Sequence, residues 1–502
     1  MLSRGKGVPR APLHYARLAL ALLLFGCDDS ETLTADLPLH LEDHLDAAMV
    51  IGSAIPEDVP ETVEWSFDEP QPGWTATPPR PFPAGIQSAR VFQTDEALRI
   101  VLGPSNAGPN DWLMGGAYVD VPEWDHGDWA ELMIRARSTG PGHMRLAFNV
   151  WRREGHPNEG SPVPYEMRGT STPLVGDSTV RTYQMQFEPS QTWDEPVRQL
   201  GLWIVAEDPL EIDILSVSVV PTEASYAEEP AGVRESERSQ QFRRALFVHT
   251  PGRLEYRVRV PEGGRLDTGL GTLRPEPSTT FRVTVAPEGA PADTLLEESY
   301  ADHNAWAQRS IDLGAYEGRV VTLSLEAVSE RAGSVALWGA PTLTGPRATD
   351  KPNVIFYIID GAGAEYTSIY GYNRRTTPNL ERLAAEGAVF ERAYSNSSWT
   401  LPSTASFMTS LQNSVTGGGK GGFNVVPDNA LTMAQHMHAG RYQTGVFTAN
   451  PNAGKMSGLE RGVDSFREGW AEFSYWGTLG NWNQSSSYLH EAFWTWRETY
   501  PA

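Results

Sequence analysis

The sequence predicts a multidomain chain in which two β-sandwich domains precede an α/β domain. Three observations carry that reading. Short runs alternating apolar and polar residues, broken by turn-forming clusters, fill residues 62–222 and 240–345, the pattern of antiparallel sandwiches. After Gly345-Pro346-Arg347 the period changes to a continuous apolar run, then helical spacing, then another short strand, which is α/β patterning. The length of 502 residues is also a prior for about three domains once a leader is set aside.

The leader comes first. Arg4, Lys6, Arg10 and Arg17 form a basic region, residues 18–25 a short apolar one, and Leu24-Phe25-Gly26-Cys27 resembles a bacterial lipobox. Residues 1–27 are therefore read as a lipoprotein signal peptide, with Cys27 lipidated and the chain held at a bilayer on the cell-envelope side. The apolar run is far below the roughly 20 residues of a spanning helix. Cys27 is the single cysteine, so internal disulfides and cysteine metal sites are excluded. Residues 28–61 contain no Lys or Arg and read as a solvated acidic linker. The net charge of -23 argues against nucleic acid as a partner, because phosphate backbones would be repelled.

In residues 62–222, Leu132-Met133-Ile134-Arg135-Ala136-Arg137 and Leu210-Glu211-Ile212-Asp213-Ile214 alternate as strands. Trp65, Trp74, Trp112, Trp151, Trp193 and Trp203 either stack on sugar rings or fill the core. A polar stretch, residues 223–240, reads as a second linker. In residues 240–345, Tyr256-Arg257-Val258-Arg259-Val260 and Val321-Thr322-Leu323-Ser324-Leu325 repeat the alternation. Both segments resemble the jelly-roll sandwiches of galactose-binding-like modules.

Residues 351–502 form the α/β domain. The run Val354-Ile355-Phe356-Tyr357-Ile358-Ile359 predicts a parallel strand buried on both faces. Asp360 ends it, at the strand end where α/β sheets bind ligands, as a hard oxygen donor for a divalent cation or as a cap of the turn Gly361-Ala362-Gly363. Thr377 and Pro378 start a helix whose apolar face is Leu380, Leu383 and Ala384, ended by Gly387. Thr400 precedes a helix with Pro402 at its first position. Its hydroxyl is either a cap or a nucleophile at the positive helix end. Asp428 caps a further helix ending at Gly440, and Val446-Phe447 is the next strand. Lys420, within Gly417-Gly418-Gly419-Lys420-Gly421-Gly422, offers a charge for an anion or is a surface lysine on a glycine loop. That loop is not a P-loop, since flanking strand and spacing are wrong.

These residues also resemble the sulfatase family of the alkaline phosphatase superfamily. The likeness is carried by Tyr370-Gly371-Tyr372, Thr376-Thr377-Pro378-Asn379-Leu380, Leu383-Ala384-Ala385-Glu386-Gly387 and Thr400-Leu401-Pro402-Ser403-Thr404. It implies a metal-dependent hydrolase of sulfate or phosphate esters, with a glycan as one candidate carrier of the substrate. Thr400 would be nucleophile and metal ligand, Asp360 metal ligand, and the ion Ca, Mg, Mn or Zn. The family pattern Cys/Ser-x-Pro-x-Arg yields formylglycine, which Thr400 does not, and its Arg is Thr404 here. The resemblance is therefore to the threonine-nucleophile members, among them phosphoglycerol and phosphoethanolamine transferases. The family's Lys-x-His pair is replaced by Thr448-Ala449-Asn450-Pro451. Its later Asp-His metal pair has no counterpart before Ala502, so the α/β domain reads as the N-terminal portion of a longer one. A glycan-binding lipoprotein with an incomplete metal site is the alternative expectation.

Overall fold

The structure is a computed structural model. It describes residues 32–34, 37–76, 89–103, 113–124, 128–150, 171–186, 197–238, 241–346, 351–416, 426, 429–450, 453–454, 458–468 and 485–499.

The first sandwich pairs a sheet of four strands with one of six. The four-stranded sheet runs Ser171–Leu174, Gly142–Val150, Val197–Ala206, Leu113–Trp124. The other runs Arg181–Gln186, Trp129–Ser138, Leu210–Pro221, Leu98–Leu102, Ala89–Gln93, with Val63–Ser66 also on the central strand. Alternation explains it: Leu132, Ile134 and Ala136 point inward, as do Ile212 and Ile214. Each such buried aliphatic side chain contributes roughly 1.5–3 kcal/mol against exposure. Trp65 and Trp74 pack against this core, edge to face with each other at 5.7 Å, while Trp203 is buried on the other face of its strand beside Tyr118. Trp112, Trp151 and Trp193 lie outside the described residues.

Asp213 sits on the central strand directly opposite Arg99 on one side and Arg137 on the other. Arg99 Nε donates to it at 2.6 Å and Arg137 Nε at 3.0 Å. Burial pushes its carboxyl pKa up, but the hydrogen bonds from both guanidinium groups outweigh that and hold it below the usual value. A depressed folded pKa means stabilisation that is fully present above about pH 4 and lost as pH falls through the folded value. Asp213→Asn is expected to cost about 2 kcal/mol at pH 7, discounted because both arginines are about one-third exposed. The same variant should flatten the acid limb of stability measured by urea unfolding between pH 5 and 2. An unchanged acid limb would remove this carboxylate from the account.

The second sandwich has strands Leu33–Thr34, Gly252–Arg259, Val320–Ser329, Thr279–Pro287 and Asp293–Tyr300 on one face. The facing sheet runs Ala307–Asp312, Arg265–Thr272, Val335–Thr344, Gln241–His249, Ser465–Glu468, Gly445–Thr448. Leu254, Tyr256, Val258, Phe281, Val283 and Val285 alternate into the core, with Trp338 fully buried between the sheets.

Two linker readings are corrected here. Residues 28–61 are not simply a solvated tether, because Leu33–Thr34, Leu39–His40 and Met49–Ile51 pair with strands of the second sandwich. Leu33, Leu39 and Leu41 are buried, and that apolar alternation outweighs the acidic residues between them. Residues 63–221 are consequently inserted within the second sandwich. Residues 231–238 also form a strand, Ala231–Arg238, in full antiparallel register with Gln241–His249. The buried Arg238 donates to the Thr272 carbonyl at 2.8 Å.

The run predicted as a buried strand is the clearest difference. Residues 352–359 are extended but belong to no strand, and Ile355 is 72% exposed and Tyr357 65%. A two-sided apolar strand needs ladder partners and covering layers. Here Phe356 meets Phe407 at 5.3 Å and Tyr357 Oη lies 3.2 Å from His490 Nε2. Among the described residues no strand pairs with the run. For the same reason the helix Pro378–Glu386 leaves its apolar face uncovered, with Leu383 69% exposed. Thr432 caps the helix Met433–Ala439 in a capping box with Gln435, not Asp428, which lies outside the described residues.

Where this C-terminal segment meets the sandwich, charges converge. His438 Nε2 donates to the Asp43 carboxylate at 2.7 Å, and His438 Nδ1 stands 2.9 Å from Asp464 Oδ1. Those two carboxylates raise its pKa to about 10. Burial pushes Glu42 up to about 8, and burial pulls His40 down.

Candidate active site

Asp360 and Thr400 are brought together. Thr400 Oγ1 donates to the Asp360 carboxylate, 3.1 Å from Oδ2 and 3.3 Å from Oδ1. The backbone explains each position. Gly361, at φ +71°, turns the chain away after the extended run in a conformation that L side chains avoid, which leaves Asp360 exposed at its end. Thr400 is the first residue of the helix Thr400–Thr409, which follows Trp399 in extended conformation. The helix therefore starts two residues earlier than the spacing predicts, and Pro402 is its third residue. No side chain caps that end, so the cap reading of Thr400 does not hold. The amides of Thr400 and Leu401 have no acceptor within the helix, and such a terminus favours anions.

Buried Leu401, Ala405 and Met408 fix the helix, the last two in a small core with Val426, Ala430 and Leu459. Thr404, which stands where an arginine was expected, turns its hydroxyl back to the Thr400 carbonyl at 2.7 Å. It is a helix back-bond and supplies no charge.

Sequence reasoning missed a third member. Asn450 Nδ2 donates to Asp360 Oδ2 at 2.6 Å and lies 3.4 Å from Thr400 Oγ1. It follows the strand Gly445–Thr448, and its backbone N–H bonds Thr448 Oγ1 at 3.1 Å. Its place just past a strand's carboxyl end was the available signal. Lys420 and Cys27 lie outside the described residues.

Asp360 and Thr400 offer oxygen donors, the donor chemistry of a hard cation of the Mg²⁺ or Ca²⁺ class, while Asn450 presents its Nδ2 and would add an oxygen only with its amide turned round. Among the described residues Asp360 belongs to no group of three or more His, Cys, Asp or Glu side chains close enough to share an ion. Any such shell is therefore incomplete among the described residues.

Residues 352–493 match the family model described as Sulfatase. The chain is 33% identical over 102 residues to an N-acetylgalactosamine-6-O-sulfatase of Bacteroides thetaiotaomicron, covering 20% of this chain and 20% of that protein. It is 39% identical over 62 residues to the human N-acetylgalactosamine-6-sulfatase, covering 12% of each. The chain therefore spans about a fifth or less of the length of these curated relatives. Among solved structures, the tandem CBM22 modules of Paenibacillus barcinonensis Xyn10C align at 13% identity and a TM-score of 0.25, over 57% of this chain and 97% of that one. The xylan-binding module CBM15 aligns at 13% identity and a TM-score of 0.23, over 32% and 97%. A β-rich multidomain chain thus carries, at residues 352–493, a segment similar to the Sulfatase family.

Proposed function

We propose that residues 352–493 form the nucleophile-bearing part of a sulfatase-type hydrolase of anionic monoesters borne on sugars. The observation that carries the reading is the Thr400–Asp360 hydrogen bond at the end of a helix, closed by Asn450. The relatives named as sulfatases of N-acetylgalactosamine support a sulfated sugar as substrate.

Asp360 orients the Thr400 hydroxyl and accepts its proton as the Oγ bond to sulfur or phosphorus forms. The ester oxygen–sulfur or oxygen–phosphorus bond breaks, and the released alkoxide takes a proton from water. Attack by water on the threonine ester then restores Thr400. The Thr400 and Leu401 amides face the anionic oxygens, and Asn450 holds Asp360 in register. A hard divalent cation bound by Asp360 and Thr400, with Asn450 reoriented to present its oxygen, would lower the hydroxyl pKa and screen the ester's charge. One observation favours a second reading, phosphoryl transfer to an alcohol: position 400 is threonine, which cannot become formylglycine. Hydrolysis of nitrophenyl sulfate, nitrophenyl phosphate and 6-sulfated N-acetylgalactosamine by the purified protein tests the first reading; activity on none of them would end it.

We also propose that Cys27 is lipidated and holds the chain at the cell envelope. Among the described residues no helix is long and apolar enough to cross a membrane. Cys27→Ser is expected to abolish incorporation of an alkyne fatty acid and to release the protein from the membrane fraction. Unchanged labelling of that variant would refute the anchor.

A further inference from the structure

His40, Glu42, His438 and Asp464 meet at the junction of three elements distant in sequence. His40 closes the strand Leu39–His40 on the edge of Val335–Thr344, and Glu42 lies in the 3₁₀ turn Leu41–Ala47. His438 is on the helix Met433–Ala439, and Asp464 precedes the strand Ser465–Glu468. We propose that His40, His438 and Asp464, with Glu42 beside them, form a zinc site, separate from the Thr400 site, that fastens the N-terminal strands and the C-terminal segment to the second sandwich.

Geometry supports the ligand set. One donor atom from each of His40, His438 and Asp464 lies within 4.8 Å of the others. His438 Nδ1 is 2.9 Å and His40 Nδ1 3.5 Å from Asp464 Oδ1. Tetrahedral zinc with bonds of about 2.0–2.1 Å needs donors roughly 3.3 Å apart, and the two pairs that include Asp464 Oδ1 are within about half an ångström of that spacing. Glu42 Oε1, 3.9 Å from His40 Nδ1, lies outside the group of three, so a water or a rotated Glu42 side chain completes the shell.

Orphaned polar atoms point the same way. The Glu42 side chain has no solvent exposure, and neither of its oxygens has a hydrogen-bond partner. Arg244 stands 3.9 Å away, beyond hydrogen-bond reach. His438 Nδ1 and Asp464 Oδ1, two of the proposed donor atoms, are likewise buried without a hydrogen-bond partner. The outer contacts are those of a metal centre: Asp43 bonds His438 Nε2 at 2.7 Å, fixing the ring with Nδ1 inward. Thr444 N–H and Oγ1 bond Asp464 Oδ2 at 2.7 and 3.0 Å, leaving Oδ1 for the ion. Two imidazoles with a carboxylate select zinc or a neighbouring transition ion over magnesium or calcium. The three ligands come from separate elements, so an ion held by them ties those elements together.

The test is a Zn²⁺ titration of the full chain after chelator treatment, read by a competing chromophoric chelator and by thermal melting. The expected result is one zinc per chain and a raised melting temperature. His40→Gln/His438→Gln should lose that equivalent, and Asp43→Asn should keep it with an affinity about 10–100-fold weaker. Asp360→Asn must retain it, which separates this site from the candidate active site. If the double variant does not fold, the wild-type titration decides. No zinc bound by folded wild type, or zinc lost with Asp360→Asn, overturns the proposal.

Discussion

Thr400→Ala is expected to reduce monoester turnover by a factor on the order of ten thousand or more, the scale seen when a nucleophile is deleted and only binding and electrostatics remain. KM should change by no more than about tenfold, because the amides at the start of the helix Thr400–Thr409 stay in place. Thr400→Ser keeps the hydroxyl on the same carbon, so it should retain activity within roughly tenfold. Its lost methyl frees the rotamer that points Oγ at Asp360. Asp360→Asn preserves shape but removes the charge that receives the proton, and a loss of about a hundred- to ten-thousand-fold is expected. Asn450→Ala removes a donor to Asp360 and should cost less than either, since it only holds the carboxylate in position. Steady-state kcat and KM on the best of the three esters decide the matter. Wild-type kcat in Thr400→Ala would dismiss the nucleophile assignment, whatever the other variants do.

How far the sequence foretold this depends on whether the determining contact is local. The sandwich strands were legible because inward and outward residues alternate within one strand: Leu254, Tyr256 and Val258 are buried, while Arg253, Glu255 and Arg257 between them are not. Asp360 and Thr400 were both singled out, Thr400 from its place at a helix start and Asp360 from the end of the apolar run, although that run forms no strand here. The state of residues 354–359 was not legible, since a run of β-branched residues states a capacity for pairing and a ladder also needs neighbours. Residues 33–51 were misread for the opposite reason: their acidic charge hid Leu33, Leu39 and Leu41, which the second sandwich buries. His40 and His438 are nearly 400 positions apart and carry no shared motif, so only the folded chain brings their rings to 4.3 Å.

Phe466→Ala is expected to have the largest effect on stability of the C-terminal segment. That segment is held to the second sandwich by continuing its sheet: Phe242 pairs with Phe466, and Ser465–Glu468 in turn carries Gly445–Thr448 in parallel register. Phe466 is 1% exposed and meets Phe242 edge to face at 6.1 Å, in a small core with Ala434 and Val463. Truncating such a phenylalanine costs about 3–5 kcal/mol, part transfer and part cavity. So small a core has little with which to refill the space. The loss should therefore be local: hydrogen exchange is expected to rise by two to three orders of magnitude at 445–448 and 465–468, following an opening free energy lowered by about that amount. The inserted first sandwich shares no contact in this core and should keep its protection. Asn450 lies two residues beyond the strand that would loosen, so ester turnover should fall although Phe466 touches neither Asp360 nor Thr400. Phe466→Leu keeps most of the volume and should recover both protection and turnover. Exchange at 445–448 unaffected by Phe466→Ala would mean that the sheet continuation does not hold the segment in place.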